Sequence, residues 1–247
     1  MKSLANFEKI EERLSTIMNR QTNDGQLGNV HKSLEDLVYE KIRDQILYHK
    51  LKPRERIIDS RLAEDLGVSR SLVRQALSIL EKDEMVISIP RKGFYVKDIT
   101  RKDVEEIYDI RKLLEVAAVE MAIPDLADDQ IAKVEAIILE AGNDLKKGIV
   151  DSHVEADILL HGMVTDNCGN ERLRNMINNH NNFILFYRIA HLSILEKART
   201  LYEEHVQILE AIKKRDVEAS KAKMAIHFEN AKKTILENFD QFTFGKS

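Results

Sequence analysis

One cysteine, three prolines, nine glycines and no tryptophan are spread over 247 residues. The lone Cys168 excludes an intramolecular disulfide framework and fits a reducing cytoplasm. So little glycine and proline argues against a many-turned β protein and for a mainly helical one. No apolar run approaches the roughly 18 residues that would cross a bilayer, so no membrane association is expected. The opening MKSLANFEKIEERL is acidic and amphipathic too early to be a secretion signal, which points to a cytoplasmic protein. What is present is 43% hydrophobic and 32% charged residues, enough for a real core and for two modest domains.

The net charge of −4 speaks against nucleic acid, but it is an average over unlike halves. Residues 31–97 carry 14 Lys/Arg against 11 Asp/Glu, whereas residues 98–247 carry 20 against 27. A mildly basic front joined to an acidic back suggests two jobs in one chain.

Residues 3–20 have a helical apolar stripe (Leu4, Phe7, Ile10, Leu14, Ile17), followed by a polar linker, QTNDGQLGN, over 21–29. Ser33 is placed to cap a helix whose buried face is read as Leu34, Leu37, Val38, Ile42 and Ile46. A short helix near 60–66, the turn Gly67-Val68-Ser69 and a second helix to about Asp83 follow. Two β-prone runs, 86–89 and 94–99, flank a turn at Pro90–Gly93 and read as a hairpin. Helix, helix, turn, helix, hairpin is the order of a winged helix-turn-helix. Beyond Thr100 the period is helical throughout, with spans predicted at 102–122, 128–147, 151–167, 171–195, 197–214 and 216–239. Six such helices form an antiparallel bundle. The fold class is therefore mainly α, with one small hairpin wing.

Within the second helix of the front half, Val73, Ala76, Leu77 and Leu80 share one face, while Arg70, Ser71, Arg74, Gln75 and Ser78 occupy the other. Two arginines one turn apart are by themselves better explained by a solvated face. Placed just after an N-cap at Ser69, they also suit the first turns of a helix entering the major groove, where Arg pairs with guanine and serines hold phosphates. The stretch SRLAEDLGVSRSLVRQAL followed by EKDEMVISIPRKGFYV resembles the DNA-binding domain of the GntR family of bacterial transcription regulators. The resemblance covers about 31–98. It implies that Ser69, Arg70, Ser71 and Arg74 contact double-stranded DNA and that Arg91, Lys92 and Gly93 form a wing tip at the minor groove. Arg61 stands for an arginine that many members carry early in the motif, with Ser60 the other candidate for that position. Gln75 replaces the glutamate common in the family.

The acidic half contains HVEADILLHGMV, in which Asp157 and His161 lie one turn apart, with His153 one turn before. His205 and His227 sit on the apolar stripes of two further helices. Either histidine alone reads most simply as a satisfied core residue. Four polar groups facing one core also suit a divalent transition metal such as Zn, Ni, Fe, Co or Mn, held by three imidazoles and a carboxylate. On the first bundle helix Ile107, Ile110, Leu114, Ala118 and Met121 are read as facing inward, and Arg111 falls among them and needs an anion there. A structural pair with Asp157 or a nearby Glu would serve, as would a bound acid.

The spacing Asp-x3-His, then His205, then His227, together with IYDIRKLLEVAAVEMA and the Gly-Asn after Cys168, resembles the FCD effector domain of the FadR subfamily of GntR regulators over about 101–240. It implies that Asp157, His161, His205 and His227 hold one metal ion per chain and that Arg111 binds a small carboxylate effector. His153 falls outside that motif and is assigned to the helix surface or the surroundings of the ligands. Six helices rather than seven would place the domain nearer the VanR-like branch. The expectation is an N-terminal extension and linker (1–30), a winged helix-turn-helix (31–98) and a helical effector domain (101–240). Together they would make a homodimeric repressor on a palindromic operator. A metal-sensing regulator or a helical metalloenzyme are the rival readings.

Overall fold

The structure is a computed structural model describing residues 33–47, 50–179 and 195–242. The stretch expected to be helical over 3–20, the linker after it, and the 171–195 span beyond residue 179 lie outside the described residues, as do His31, His49, His180 and His191. The chain forms two compact units, one ending at Thr100 and the other running Arg101–Phe242.

In the first unit, α1 (Leu34–Leu47) starts at a reciprocal cap. Ser33 Oγ accepts from the Asp36 amide at 3.1 Å, while the Asp36 carboxylate accepts from the Ser33 amide at 3.0 Å. Strand β1 (Arg56–Ile57), α2 (Asp59–Leu66), α3 (Arg70–Lys82), β2 (Val86–Ile89) and β3 (Gly93–Val96) follow. Gly67 closes α2 in the left-handed conformation (φ 66°), which glycine adopts without strain. Two residues later Ser69 caps α3, its side chain accepting from the Leu72 amide at 3.3 Å. Val73, Ala76, Leu77 and Leu80 of α3 are completely buried against α1 and α2.

The expected two-stranded hairpin is a three-stranded sheet in the order β1-β3-β2, both pairings antiparallel. The extra strand is two residues long, too short to leave a pattern in sequence. Leu34 and Leu37, expected in the core, are exposed. The buried line of α1 runs through Val38, Ile42 and Leu47, with Leu34 in the first turn and Leu37 one residue off that line.

The second unit contains α4 (Arg101–Ala122), a 3-10 turn (Ile123–Asp125), α5 (Asp128–Lys146), α6 (Asp151–Asp166), α7 (171–179 as described), α8 (Leu195–Lys213), α9 (Val217–Glu237) and the short α10 (Phe239–Phe242). Arg101 at the start of α4 donates to the Leu236 carbonyl near the end of α9, and Glu120 near the end of α4 pairs with Lys221 near the start of α9. Those two helices are thus antiparallel. The pair α5 and α8 runs the same way, with Glu135 bridged to Lys213. Gly142 of α5 faces Tyr202 of α8 so closely that a Cβ would overlap the phenol ring.

Helix α4 has two apolar faces. Val104, Ile107, Tyr108, Ala118, Val119 and Ala122 face the bundle, and Arg111 and Glu115 are buried among them. Ile110, Leu113 and Met121 form a second stripe that is exposed, Leu113 to 69%. Ile110 and Met121 were expected to face inward. With apolar residues on both sides, periodicity alone does not say which side meets the bundle.

Candidate nucleic-acid interface and metal centre

The outer face of α3 is basic because the inner face is used up by its apolar stripe. Arg70 and Arg74 are 62% and 55% exposed, and both lean on the Asp59 carboxylate at the start of α2. Arg70 Nε lies 3.0 Å from Asp59 Oδ1 in an ion pair, and Arg74 Nη1 donates to Oδ2 at 3.1 Å. Partial burial pulls the Asp59 carboxyl up, but the two guanidinium groups outweigh it and hold the group below the usual carboxylate range. Arg74 also lies 5.7 Å from the centre of the Phe94 ring on β3, so it links the helix to the wing. Ser69 and Ser71 are exposed, their hydroxyls 3.0 Å apart.

At the wing tip Arg91 and Lys92 are exposed, and Arg91 (φ 64°) and Gly93 (φ 96°) both take positive φ to turn the chain from β2 into β3. The Lys92 amide closes that turn on the Ile89 carbonyl at 3.0 Å. Arg61 is exposed on α2. Asp59 is the residue of this surface that sequence reasoning missed. Its signal, an acidic residue eleven positions before an arginine, is invisible without the angle between α2 and α3.

In the second unit Asp157 and His161 from α6, His205 from α8 and His227 from α9 converge, all four buried, each offering one donor atom within 4.8 Å of the others. His161 Nδ1 lies 2.5 Å from Glu115 Oε2, and His227 Nδ1 lies 2.8 Å from Glu204 Oε2. Each carboxylate favours a proton on the Nδ1 it faces, which leaves Nε2 of both rings as bare lone pairs. Those two Nε2 atoms are only 3.3 Å apart. Two lone pairs facing each other repel unless a cation or a proton stands between them.

The rest of the donor set agrees with a cation. Asp157 Oδ1 is 3.4 Å from His205 Nε2 and 3.7 Å from His161 Nε2. Neither His205 nitrogen has a hydrogen bond of good geometry, although the ring is completely buried. Burial pushes the His205 imidazole down to about 4, against the opposing pull of Asp157, so the ring is neutral at pH 7 as a metal ligand must be. A tetrahedral ion with bonds of about 2.0–2.1 Å has ligand edges of about 3.3 Å. The shorter edges here match that spacing, and the longer ones leave room for additional ligands. The residues therefore fit a divalent transition metal.

Around these four, two features differ from expectation or were not foreseen. His153, assigned to the helix surface or the ligand surroundings, is completely buried with its ring 5.4 Å from that of His205, so the surface assignment fails. It lies beside a ligand because it precedes Asp157 by one turn on the same face of α6. Glu115, Glu204 and Asn230 went unnoticed. Glu115 Oε1 accepts from Arg111 Nε and Nη2 at 3.0 and 2.9 Å, and Glu204 Oε1 accepts from Asn230 at 2.7 Å. Arg111, buried between the Tyr108 and Phe228 rings, is thus paired with a nearby Glu rather than with Asp157. The i,i+4 spacing of Arg111 and Glu115 was the available signal.

A winged helix-turn-helix in one unit and a buried polar centre in a helical second unit are the arrangement expected of a DNA-binding transcription regulator. Comparison with known proteins gives the family. Residues 34–96 match the bacterial regulatory proteins of the gntR family, and residues 106–230 match the FCD domain. The HTH-type transcriptional regulator YdhC of Bacillus subtilis is 34% identical over 191 residues, 77% of this chain and 85% of that protein. The gluconate operon transcriptional repressor of Bacillus licheniformis is 26% identical over 181 residues, 71% of this chain and 74% of that one. Among solved structures, Escherichia coli McbR/YncC superimposes with a TM-score of 0.71 at 24% identity, covering 85% of this chain and 99% of that one. The chain belongs to the GntR family, with a C-terminal FCD domain. Its relatives are named as transcription regulators, not enzymes. Among the described residues no helix is long and apolar enough to cross a membrane.

Proposed function

We propose that the protein is a ligand-responsive repressor that binds a palindromic operator as a homodimer and holds one divalent transition metal on Asp157, His161, His205 and His227. The observation that carries the metal reading is the convergence of those four buried side chains, with the Nε2 atoms of His161 and His227 3.3 Å apart and their Nδ1 atoms facing Glu115 and Glu204. A bound metal would tie α6, α8 and α9 together and present a Lewis acid to a small acid. Arg111 is the anion-binding residue of this reading. Glu115 already engages its Nε and Nη2, so an effector carboxylate reaches the guanidinium through the N–H groups that Glu115 leaves, those of Nη1 above all, or by replacing Glu115.

At the other end of the chain, Arg70 and Arg74 would read bases or phosphates of the major groove, with Ser69, Ser71 and Arg61 on the backbone. Arg91, Lys92 and Gly93 would lie at the minor groove. The exposed stripe Ile110, Leu113 and Met121 supports the homodimer, because a second copy would cover it. The gluconate operon repressor among its relatives supports repression as the sign of control. The effector must bind the two conformations with different affinity to change DNA binding.

Metal content by plasma mass spectrometry tests the centre. About one transition metal per chain in the wild type, absent from Asp157→Ala, is the expected result. Wild-type protein that stays metal-free after reloading would remove the metal from this reading.

A further inference from the structure

We infer that Asp59 is a positioning residue for DNA recognition, setting the direction of both Arg70 and Arg74 before DNA arrives. The inference rests on the reading that these two arginines contact DNA. A carboxylate on a DNA-facing surface is at first sight a liability, since it repels phosphates. This one is placed with unusual economy: one oxygen takes Arg70 Nε at 3.0 Å and the other takes Arg74 Nη1 at 3.1 Å.

The two arginines emerge one turn apart on α3, and both are more than half exposed. Free side chains of that length sample many rotamers, and immobilising them on binding weakens association by a few-fold to about tenfold each. Asp59 removes part of that loss in advance. It stands at the first residue of α2, anchored from behind by helix α2 itself, and its side chain is only 13% exposed. Its carboxylate also benefits from the positive end of the α2 dipole.

A guanidinium has five N–H donors, and Asp59 uses one on each arginine. Four on each remain for bases and phosphates. For Arg70 the engaged atom is Nε, which leaves both terminal nitrogens, the pair that forks onto guanine O6 and N7, unencumbered by Asp59. Arg74 is held from a second side by the Phe94 ring of β3, so the same carboxylate ties helix and wing into one reading surface. Positioning of this kind acts on discrimination between sequences, whereas simple charge acts on all DNA alike.

The experiment uses full-length protein and two probes: a duplex selected by the wild type from a randomised library, and a scrambled duplex of equal length. Asp59→Asn should lower the ratio of selected to scrambled affinity by about tenfold, while binding to scrambled DNA stays level or rises through the lost negative charge. Asp59→Glu, which keeps the carboxylate, should recover part of the ratio. Asp65→Asn, the same charge change on the exposed far end of α2, should leave the ratio unchanged. A ratio unaltered in Asp59→Asn, or a loss that Asp59→Glu does not relieve at all, overturns the inference. Arg70→Ala and Arg74→Ala separate the two levels of the argument. If both keep selective binding, the recognition reading fails. If both lose it while Asp59→Asn keeps its ratio, only the role of Asp59 fails.

Discussion

The two units treat polarity in opposite ways. Among the described residues every buried polar or charged side chain (Arg111, Glu115, Ser152, His153, Asp157, His161, Thr165, His205, Ser220 and His227) belongs to the helical unit. The winged unit buries an apolar core and keeps Arg70 and Arg74 on the outside, braced on a carboxylate. The difference follows from what each must meet. A DNA surface is a large anion encountered in water, so the charges that read it stay solvated and are only aimed. A small ion or acid would be enclosed under the proposed function, so its partners must wait in the interior, as His161 and His227 do on Glu115 and Glu204.

Substitutions can break or sharpen that contrast. The largest effect is expected at Arg111→Ala, which leaves Glu115 buried without its cation and deprives His161 of a well-anchored partner. A loss of about 3–5 kcal/mol in urea unfolding is expected, against which a loss below about 1 kcal/mol would mean that water relieves the site. Next in size is Gly142→Ala, where the added methyl meets the Tyr202 phenol between α5 and α8. A destabilisation of about 1–3 kcal/mol is expected. Adding Tyr202→Phe should recover part of it, because the hydroxyl is the nearest atom; additive losses in a double-mutant cycle would disprove that contact. Smallest in stability is Arg70→Ala or Arg74→Ala, expected within about 0.5 kcal/mol of wild type at these exposed positions. Operator binding, measured by fluorescence anisotropy, should nevertheless be lost in both. A variant of this pair that unfolds the winged unit would show that its surface charges are structural after all.

Much of the architecture was legible before any coordinates. Helices predicted at 102–122, 128–147 and 151–167 appear as Arg101–Ala122, Asp128–Lys146 and Asp151–Asp166, because caps, Pro124 and Gly148 punctuate strongly periodic segments. The inward face of α3 was legible for the same reason: four apolar residues at helical spacing have one way to be buried together. Where periodicity was ambiguous, the reading slipped. Helix α4 carries apolar residues on two sides, and Ile110 and Met121 were placed in the core when they lie on the exposed stripe. Strand β1 exists only because β3 offers it a partner, and nothing local in Arg56–Ile57 announces it.

The sequence by itself determined the order of the helices and of the β2–β3 hairpin, the N-cap at Ser69, the apolar stripe of α3 and the spacing that lines Asp157 up with His161 on one helix. These depend on residues within a few turns of each other, where helical geometry is fixed by chemistry. Only the tertiary structure decided that His205 and His227 come to within reach of that pair. It also decided that Glu115 and Glu204 turn two rings so their lone pairs meet, that His153 is buried beside them, and that Asp59 sits between two arginines. Each of those is a meeting of side chains from different helices. Its geometry is set by the angle and register at which whole helices pack, which no local pattern encodes.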